Sequence, residues 1–132
     1  MTGSLRLIAA GELSGDTAQT SGMRRSAAIS GARVGAGELW MGQTVMAPGG
    51  ASGDHHHGDS ETGIYVVSGM PEFAFRDPES GEVVRLRTKP GDFVWVPPHV
   101  PHREENPSAG TEAVLVVARS TQEAIVVNLP GL

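Results

Sequence analysis

The sequence predicts an all-β domain, built as a sandwich or small barrel of roughly ten short strands. Eighteen glycines and nine prolines interrupt the 132-residue chain at short intervals, as expected when many strands are joined by turns. No segment shows a sustained 3.6-residue period with helix caps. All six aromatic residues lie between Trp40 and Trp95, so we expect the core and any pocket in the middle of the chain.

The pattern divides the chain into an N-terminal arm, residues 1–35, and a barrel, residues 36–128. The arm is rich in Gly, Ser, Thr and Ala, and its stretch "LRLIAA", residues 5–10, has the pattern of a short edge strand. The arm has too few apolar residues to form a core alone, so we expect it to dock on a neighbouring subunit. The barrel begins where residues 39–46 alternate between two faces, the period-2 pattern of a strand.

Further strands are predicted from apolar and β-branched runs bounded by turn residues. They lie at residues 62–69, 70–76, 83–88, 93–98, 113–118 and 124–128. Asp77-Pro78 and Ser80-Gly81 supply turn chemistry between the second and third of these runs, so we predict an antiparallel hairpin there.

Charge and composition exclude several classes of partner. Fifteen acidic and ten basic residues give a formal net charge of −5, and the lone basic pair Arg24-Arg25 is too small for a nucleic-acid footprint. The apolar run Ala113–Ala118 is far too short to span a bilayer, and the N-terminus lacks the pattern of a signal peptide. We therefore expect a cytoplasmic protein with no nucleic-acid or membrane partner. Cysteine is absent, so any metal must be held by histidine and carboxylate ligands.

Three of the five histidines are consecutive, in the stretch "GDHHHGDSET" of residues 53–62. On an extended backbone the imidazoles of His55 and His57 point to one face, while His56 points to the other. Glu61 follows four residues after His57, where its carboxylate can reach the same side. Imidazole and carboxylate together suit a transition metal. Taken alone, however, the triplet is explained equally well as a solvated loop with incidental metal affinity.

The other two histidines lie in "GDFVWVPPHVPHREEN", residues 91–106, and here the two stretches resemble the two motifs of the cupin family. The positions that match the family motifs are Gly49, His55, His57, Glu61 and Gly69 in the first, and Gly91, Pro97, His102 and Asn106 in the second. Two departures are visible. Seven residues rather than six separate Glu61 from Gly69, and His99 stands where the family has glycine.

The resemblance implies a double-stranded β-helix, or jelly-roll, barrel whose metal ligands are His55, His57, Glu61 and His102. It implies one divalent transition metal per chain, which could be Fe(II), Mn, Ni, Zn or Cu, and a homodimer. His56 is then a bystander on the opposite face.

Several other side chains are candidates for the pocket. Glu104 shares its strand face with His102, so it is the best acid–base candidate. His99 is a second catalytic candidate, although a position at the pocket rim explains it better. Four further residues could line a substrate pocket, but each is explained equally well as ordinary barrel surface or core: Tyr65, Trp95, Arg85 and Arg87.

Three functions agree with this pattern. The resemblance favours an oxygen-using enzyme of dioxygenase type acting on a small organic substrate. A non-redox isomerase, cyclase or lyase would use the metal as a Lewis acid, and a stand-alone binding protein would hold its small-molecule ligand without turnover. A DNA-binding regulator is disfavoured, because residues 1–30 contain nothing that could form a helix-turn-helix.

Overall fold

A computed structural model describes residues 4–132, which form ten β-strands, one short helix and a single 3₁₀ turn at Ala10–Glu12. The strands are β1 (Met23–Ile29), β2 (Trp40–Met46), β3 (His55–His56), β4 (Thr62–Ser68), β5 (Glu72–Arg76), β6 (Val83–Arg87), β7 (Phe93–Val96), β8 (His102–Glu105), β9 (Ala113–Arg119) and β10 (Val127–Asn128). The helix, α1 (Gly31–Val34), is a single turn. The prediction of an all-β fold is confirmed.

Two five-stranded antiparallel sheets form the domain. The first has the strand order β1-β2-β9-β4-β7, and the second has the order β10-β3-β8-β5-β6. The predicted hairpin is present, since β5 pairs with β6 and Phe75 lies opposite Val84. Because neighbours in the sheets are often distant in sequence, the chain crosses repeatedly between them, as in a jelly roll. Within residues 4–132, no helix is long and apolar enough to cross a membrane.

The core lies between the inner faces of the two sheets. Every second residue of β2 is buried: Trp40, Gly42, Thr44 and Met46. The residues between them are less buried. The largest core cluster consists of Met23, Met46, Ile64, Val66, Phe73, Val96, Ala113 and Leu115. Fully burying a side chain of this size stabilises the fold by about 1.5–3 kcal/mol, so this cluster fixes the spacing of the sheets on which the polar site is built.

Two motif residues have structural roles. Gly69 adopts a φ of +79°, and a Cβ there would lie 2.8 Å from the Cα of Ala113, so only glycine fits without a shift. The buried side-chain amide of Asn106 donates hydrogen bonds to the carbonyls of Met46, Ala47 and Thr111. These bonds tie the end of β8 to the end of β2 and to the segment that precedes β9.

The N-terminal region differs from the sequence-based expectation. Residues 5–10 form no strand, and the side chains of Leu5 and Leu7 are exposed, because no neighbouring strand lies beside them to supply hydrogen bonds. Instead Met23–Ile29 forms β1 and pairs with β2, with Met23 opposite Met46. The predicted edge strand at residues 5–10 is therefore wrong, and part of the region expected to be an arm belongs to the first sheet.

Candidate metal centre

Three imidazoles meet on the inner face of the second sheet. His55 of β3 lies directly opposite His102 of β8 in the antiparallel register, and His57 follows β3 by one residue. The ring centroids of the three side chains lie 4.4–4.9 Å apart. His55 and His102 are buried, and His57 is half-buried. One cross-strand pair and one extended tripeptide are thus enough to bring three nitrogen ligands together.

A backbone carbonyl orients each of the three rings. The Nδ1 atom of His55 lies 2.7 Å from the carbonyl oxygen of Gly53, that of His57 lies 2.8 Å from that of Ile125, and that of His102 lies 2.9 Å from that of Val100. A carbonyl only accepts hydrogen bonds, so each Nδ1 carries the proton and donates it. This fixes the tautomer that leaves Nε2 with a free lone pair, the arrangement typical of metal-ligating histidines.

Glu104 completes the group of donors. It lies two residues after His102 on the same strand, so its side chain points to the same face, and it is buried. One ligand atom from each of His55, His57, His102 and Glu104 lies within 4.8 Å of the others. The Oε1 atom of Glu104 lies 3.5 Å from Nε2 of His102, which is an electrostatic contact rather than a well-formed hydrogen bond.

Two atoms of this cluster are buried without a hydrogen-bond partner among the described residues: Nε2 of His102 and Oε2 of Glu104. A buried polar atom left unsatisfied costs about 1–3 kcal/mol, so a folded protein rarely keeps two of them in one cluster. A cation between them would satisfy both. Three imidazole nitrogens and one carboxylate oxygen form a donor set that fits a divalent transition metal, so the residues present fit such an ion.

The pKa values of His57 and Glu104 agree with this donor set, whereas in the metal-free protein Glu104 favours a proton on His102. Burial is the main cause that lowers the pKa of His57 to about 4, so its ring is neutral at pH 7. Burial also acts to lower the pKa of His102, but the Glu104 carboxylate beside it outweighs burial and leaves that pKa raised. Burial acts to raise the pKa of Glu104, yet His102, His55 and Ser52 together outweigh it and hold the pKa at about 2. The carboxylate is therefore ionised over the whole neutral range.

Comparison with known families identifies the fold around this cluster. The family model described as the Cupin domain matches residues 42–119, a span that includes His55, His57, His102 and Glu104. The chain belongs to the cupin family. Its sequence has no significant match among curated proteins.

Solved structures similar to this cupin share its fold at low identity. Peruvianin-I, a cysteine peptidase from Thevetia peruviana latex, superposes with a TM-score of 0.75 at 16% identity, over 96% of this chain and 78% of its own. Recombinant oxalate oxidase in complex with glycolate superposes with a TM-score of 0.72 at 20% identity. The match covers 89% of this chain and 60% of the oxidase chain. Oxalate decarboxylase superposes with a TM-score of 0.70 at 17% identity, and the match covers 84% of this chain and 29% of the decarboxylase chain. This cupin therefore spans less than two thirds of the oxalate oxidase chain and less than a third of the oxalate decarboxylase chain, and these likenesses concern the fold alone.

The structure does not bring Glu61 to the imidazoles. A turn closed by the hydrogen bond from the Ser60 N–H to the His57 carbonyl, 3.0 Å, separates Glu61 from the His57 strand. Glu61 immediately precedes β4, and its side chain lies on the outer side of the strand, as that of exposed Tyr65 does. Its carboxylate accepts a 2.8 Å hydrogen bond from the Trp95 indole. The turn breaks the in-and-out alternation of side chains that the motif spacing assumes, so Glu61 lies outside the cluster. The carboxylate of the cluster comes from Glu104 instead.

The remaining histidines lie outside the donor cluster. His56, on the opposite face as predicted, accepts a hydrogen bond at Nδ1 from the N–H of Gly58. His99 is exposed and has a φ of +64°, a left-handed conformation consistent with the glycine that the family has there. Its Nε2 lies 2.7 Å from a carboxylate oxygen of Asp59. His99 therefore lies at the surface near the cluster, where no contact with the four donors is formed.

The four residues expected in a substrate pocket lie mainly outside the barrel. Tyr65 is on the outer face, where its ring contacts Phe93. Arg85 forms exposed ion pairs with Glu72 and Glu105, and the Arg87 side chain is 82% exposed. Trp95 borders an apolar groove of 250 Å³ that also touches His102. Only this last side chain lies beside a cavity that reaches the cluster.

A separate cavity of 120 Å³ lies between the two sheets, bordered by His57 and Glu104 on one side. Its opposite wall is formed by inward-facing residues of the first sheet, including Trp40, Ile64 and Leu115. Two of these wall residues, Arg25 and Arg119, were not expected from the sequence. The sequence did contain a signal for Arg25: it lies two residues from both Met23 and Ala27, so in a strand it shares the face of these two buried residues.

We expect His102 to protonate before His57 when the pH of the metal-free protein is lowered from 8 to 4. The pKa of His102 is raised by the Glu104 charge, whereas burial lowers that of His57 to about 4. Glu104→Gln should lower the pKa of His102, because it removes the charge that opposes burial. Imidazole ¹⁵N chemical shifts followed by NMR measure both. Protonation of His57 first, or an unchanged His102 in the variant, would contradict this electrostatic account.

Proposed function

We propose that this cupin is a metal-dependent, oxygen-using enzyme of dioxygenase type that acts on a small organic substrate. The observation that carries the proposal is the convergence of four donor atoms beside a cavity between the two sheets, with two of those atoms lacking any other partner among the described residues. The cluster borders the cavity through His57 and Glu104. A ligand in that cavity would therefore lie next to the donors.

The proposed ligands are His55, His57, His102 and Glu104, and the proposed cofactor is one divalent transition metal per chain, from among Fe(II), Mn, Ni, Zn and Cu. Such a metal, if it is Fe(II) or Cu, supplies the one-electron chemistry through which O₂ reacts with organic molecules. The three carbonyl acceptors hold each imidazole at a fixed angle, and the Glu104 charge offsets that of the cation. These residues thus need little rearrangement on binding.

The walls of the cavity suit a water-poor reaction. Ile64, Leu115 and Val117 contribute apolar surface, and the cavity is bordered by chain segments from both ends of the sequence, residues 18–20 and 124–126. Water-excluding walls strengthen electrostatic interactions inside a site and suppress side reactions. An organic substrate that entered would be held against the donors and shielded from solvent.

A non-redox reaction would need a side chain that moves a proton at the substrate. Among the described residues that border the cavity there is no lysine and no tyrosine. Tyr65 lies on the outer face, and Lys89 forms a surface ion pair with Asp92 at 3.0 Å. Glu104 is the one carboxylate in the cavity wall, and its proposed place is on the metal. We therefore rank an isomerase, cyclase or lyase below an oxygen-using enzyme.

The His56 and His57 variants form a matched pair that tests this proposal. Protein purified without a nickel column and reconstituted with Fe(II) should hold one metal per chain and consume O₂ in the presence of small organic substrates. His57→Ala should abolish both, because it removes one of four ligands, whereas His56→Ala should retain both. Metal analysis and an oxygen electrode measure the two.

Full metal loading with no oxygen uptake for any substrate would favour the stand-alone binding protein instead. Equal loss of metal from the His56 and His57 variants would indicate a loop with incidental affinity, and the proposed centre would be wrong.

We also propose that the protein is a homodimer, formed through the outer face of β4 and β7. Tyr65 lies opposite Phe93 in the register, and Gly63 lies opposite Trp95, so the exposed rings share one face with Val67. Phe93 is 78% exposed and Trp95 is 65% exposed. The patch is apolar apart from the Glu61 carboxylate that the Trp95 indole binds at 2.8 Å, so its apolar centre is complementary to the same surface on a second copy.

Phe93→Glu should convert the dimer to a monomer, because dimerisation would then bury two like charges at the interface. Val83→Glu, at an exposed position on the other sheet, is the matched control and should remain dimeric. Light scattering at micromolar concentration measures the mass. A monomeric wild-type protein, or a Phe93→Glu variant that remains dimeric, would rule out this interface.

A further inference from the structure

Two arginines lie where the fold would ordinarily place apolar side chains. Arg25 of β1 pairs in the register with Thr44, and Arg119 at the end of β9 pairs with Trp40. Thr44 and Trp40 are both buried on the inner face, and residues opposite each other in a sheet share a face. Both arginines border the 120 Å³ cavity that His57 and Glu104 also border.

Within residues 4–132, neither arginine forms an ion pair with a carboxylate. The basic side chains that do form such pairs are those of Arg85, Arg87, Lys89, Arg103 and two histidines. Nη1 of Arg25 donates a 2.8 Å hydrogen bond to the Thr20 hydroxyl. Nε and Nη2 of Arg119 donate to the carbonyls of Thr121 and Gln122, at 3.0 and 2.8 Å. Its guanidinium carbon lies 4.1 Å from the centroid of the Trp40 ring.

These contacts position the guanidinium groups without neutralising them. Nη2 of Arg25 and Nη1 of Arg119 have no hydrogen-bond acceptor among the described residues. Burial lowers the pKa of both groups; the Glu104 charge opposes this at Arg25 without cancelling it, and the charge of Arg25 lowers the pKa of Arg119 further. The two like charges repel each other across a partly buried wall, and an anion between them would relieve that repulsion.

The charge of this cavity is opposite to that of the protein as a whole. The chain carries a formal charge of −5, yet the cavity has two guanidinium groups against the single Glu104 carboxylate. A divalent cation on the proposed ligands would make the excess of positive charge larger. Anions would therefore be attracted to this site in preference to the rest of the surface.

We infer that Arg25 and Arg119 are specificity residues that bind the carboxylate group of a small organic acid, the substrate of the proposed metal centre. This inference rests on the proposed function for the role of the acid as substrate. Guanidinium groups recognise carboxylates through directed, charge-assisted hydrogen bonds. The cavity of 120 Å³ is of the size that holds a small organic molecule, so a small acid fits it. A neutral molecule of the same size would leave both arginines unpaired.

The test is binding of small acids to the folded protein, measured by calorimetry with acetate, glycolate and oxalate as probes. Acetamide and ethylene glycol are neutral probes of similar size, and sulfate is an inorganic anion probe. Arg25→Met should weaken binding of the best carboxylate by about tenfold to a hundredfold, the loss expected for hydrogen bonds to a charged group. Arg25→Lys should lose less, because it retains the charge.

Arg24 provides the matched control, since it is the adjacent residue on β1 and is exposed. Arg24→Met should bind the acid within twofold of the wild type. Arg119→Lys is a second variant on the other side of the cavity and should also weaken binding. Circular dichroism and thermal unfolding establish that each variant is folded before its affinity is compared.

The measurements are made on both Zn²⁺-loaded and metal-free protein, so that this inference and the metal centre fail separately. Absence of zinc binding, with acid binding still lost in Arg25→Met, would reject the metal centre and retain the anion site. Equal affinity for acetate and acetamide, tighter binding of sulfate than of any carboxylate, or an unchanged affinity in Arg25→Met would overturn the inference.

Discussion

The cross-strand pairing of His55 with His102 is the contact on which the rest of the site depends. This register places two imidazoles on the inner face of the second sheet, and the side-chain alternation of β3 and β8 then adds His57 and Glu104. Shifting either strand by one residue would move its donors to the outer face. The three carbonyl acceptors that orient the rings lie in the segments next to these strands or, for Ile125, in the segment leading to β10. The metal centre is thus a consequence of sheet register more than of any single loop.

The charged groups of the barrel interior lie beside an apolar core cluster. The cluster centred on Met46, Val66 and Leu115 holds the two sheets together, while Glu104, Arg25 and Arg119 surround the cavity near the donors. Burying charges without full pairing costs free energy, so the apolar cluster offsets a cost that the site imposes. Such a division is expected where function requires groups that packing alone would not select.

The sequence predicted much of this arrangement because alternation and spacing are local properties. The two-residue alternation of side chains in a strand placed His55 and His57 on one face and His56 on the other. It also assigned Glu104 to the face of His102. It failed at Glu61, because the hydrogen-bonded turn from His57 to Ser60 resets the alternation before β4. Arg25 was missed for a different reason. An arginine beside another arginine suggests a solvated pair, and only the pairing of β1 with Thr44 reveals that one of the two faces inward.

The choice between the two glutamates tests the central claim most directly, since the claim is that the buried carboxylate of Glu104 belongs to the metal centre. Glu104→Gln and Glu61→Gln remove one charge each, and Co²⁺ titrations followed by visible absorption report the coordination sphere of each variant. The account predicts that Glu104→Gln weakens Co²⁺ binding at least tenfold and alters the spectrum, while Glu61→Gln leaves both unchanged. Unaltered binding in Glu104→Gln together with a loss in Glu61→Gln would contradict it.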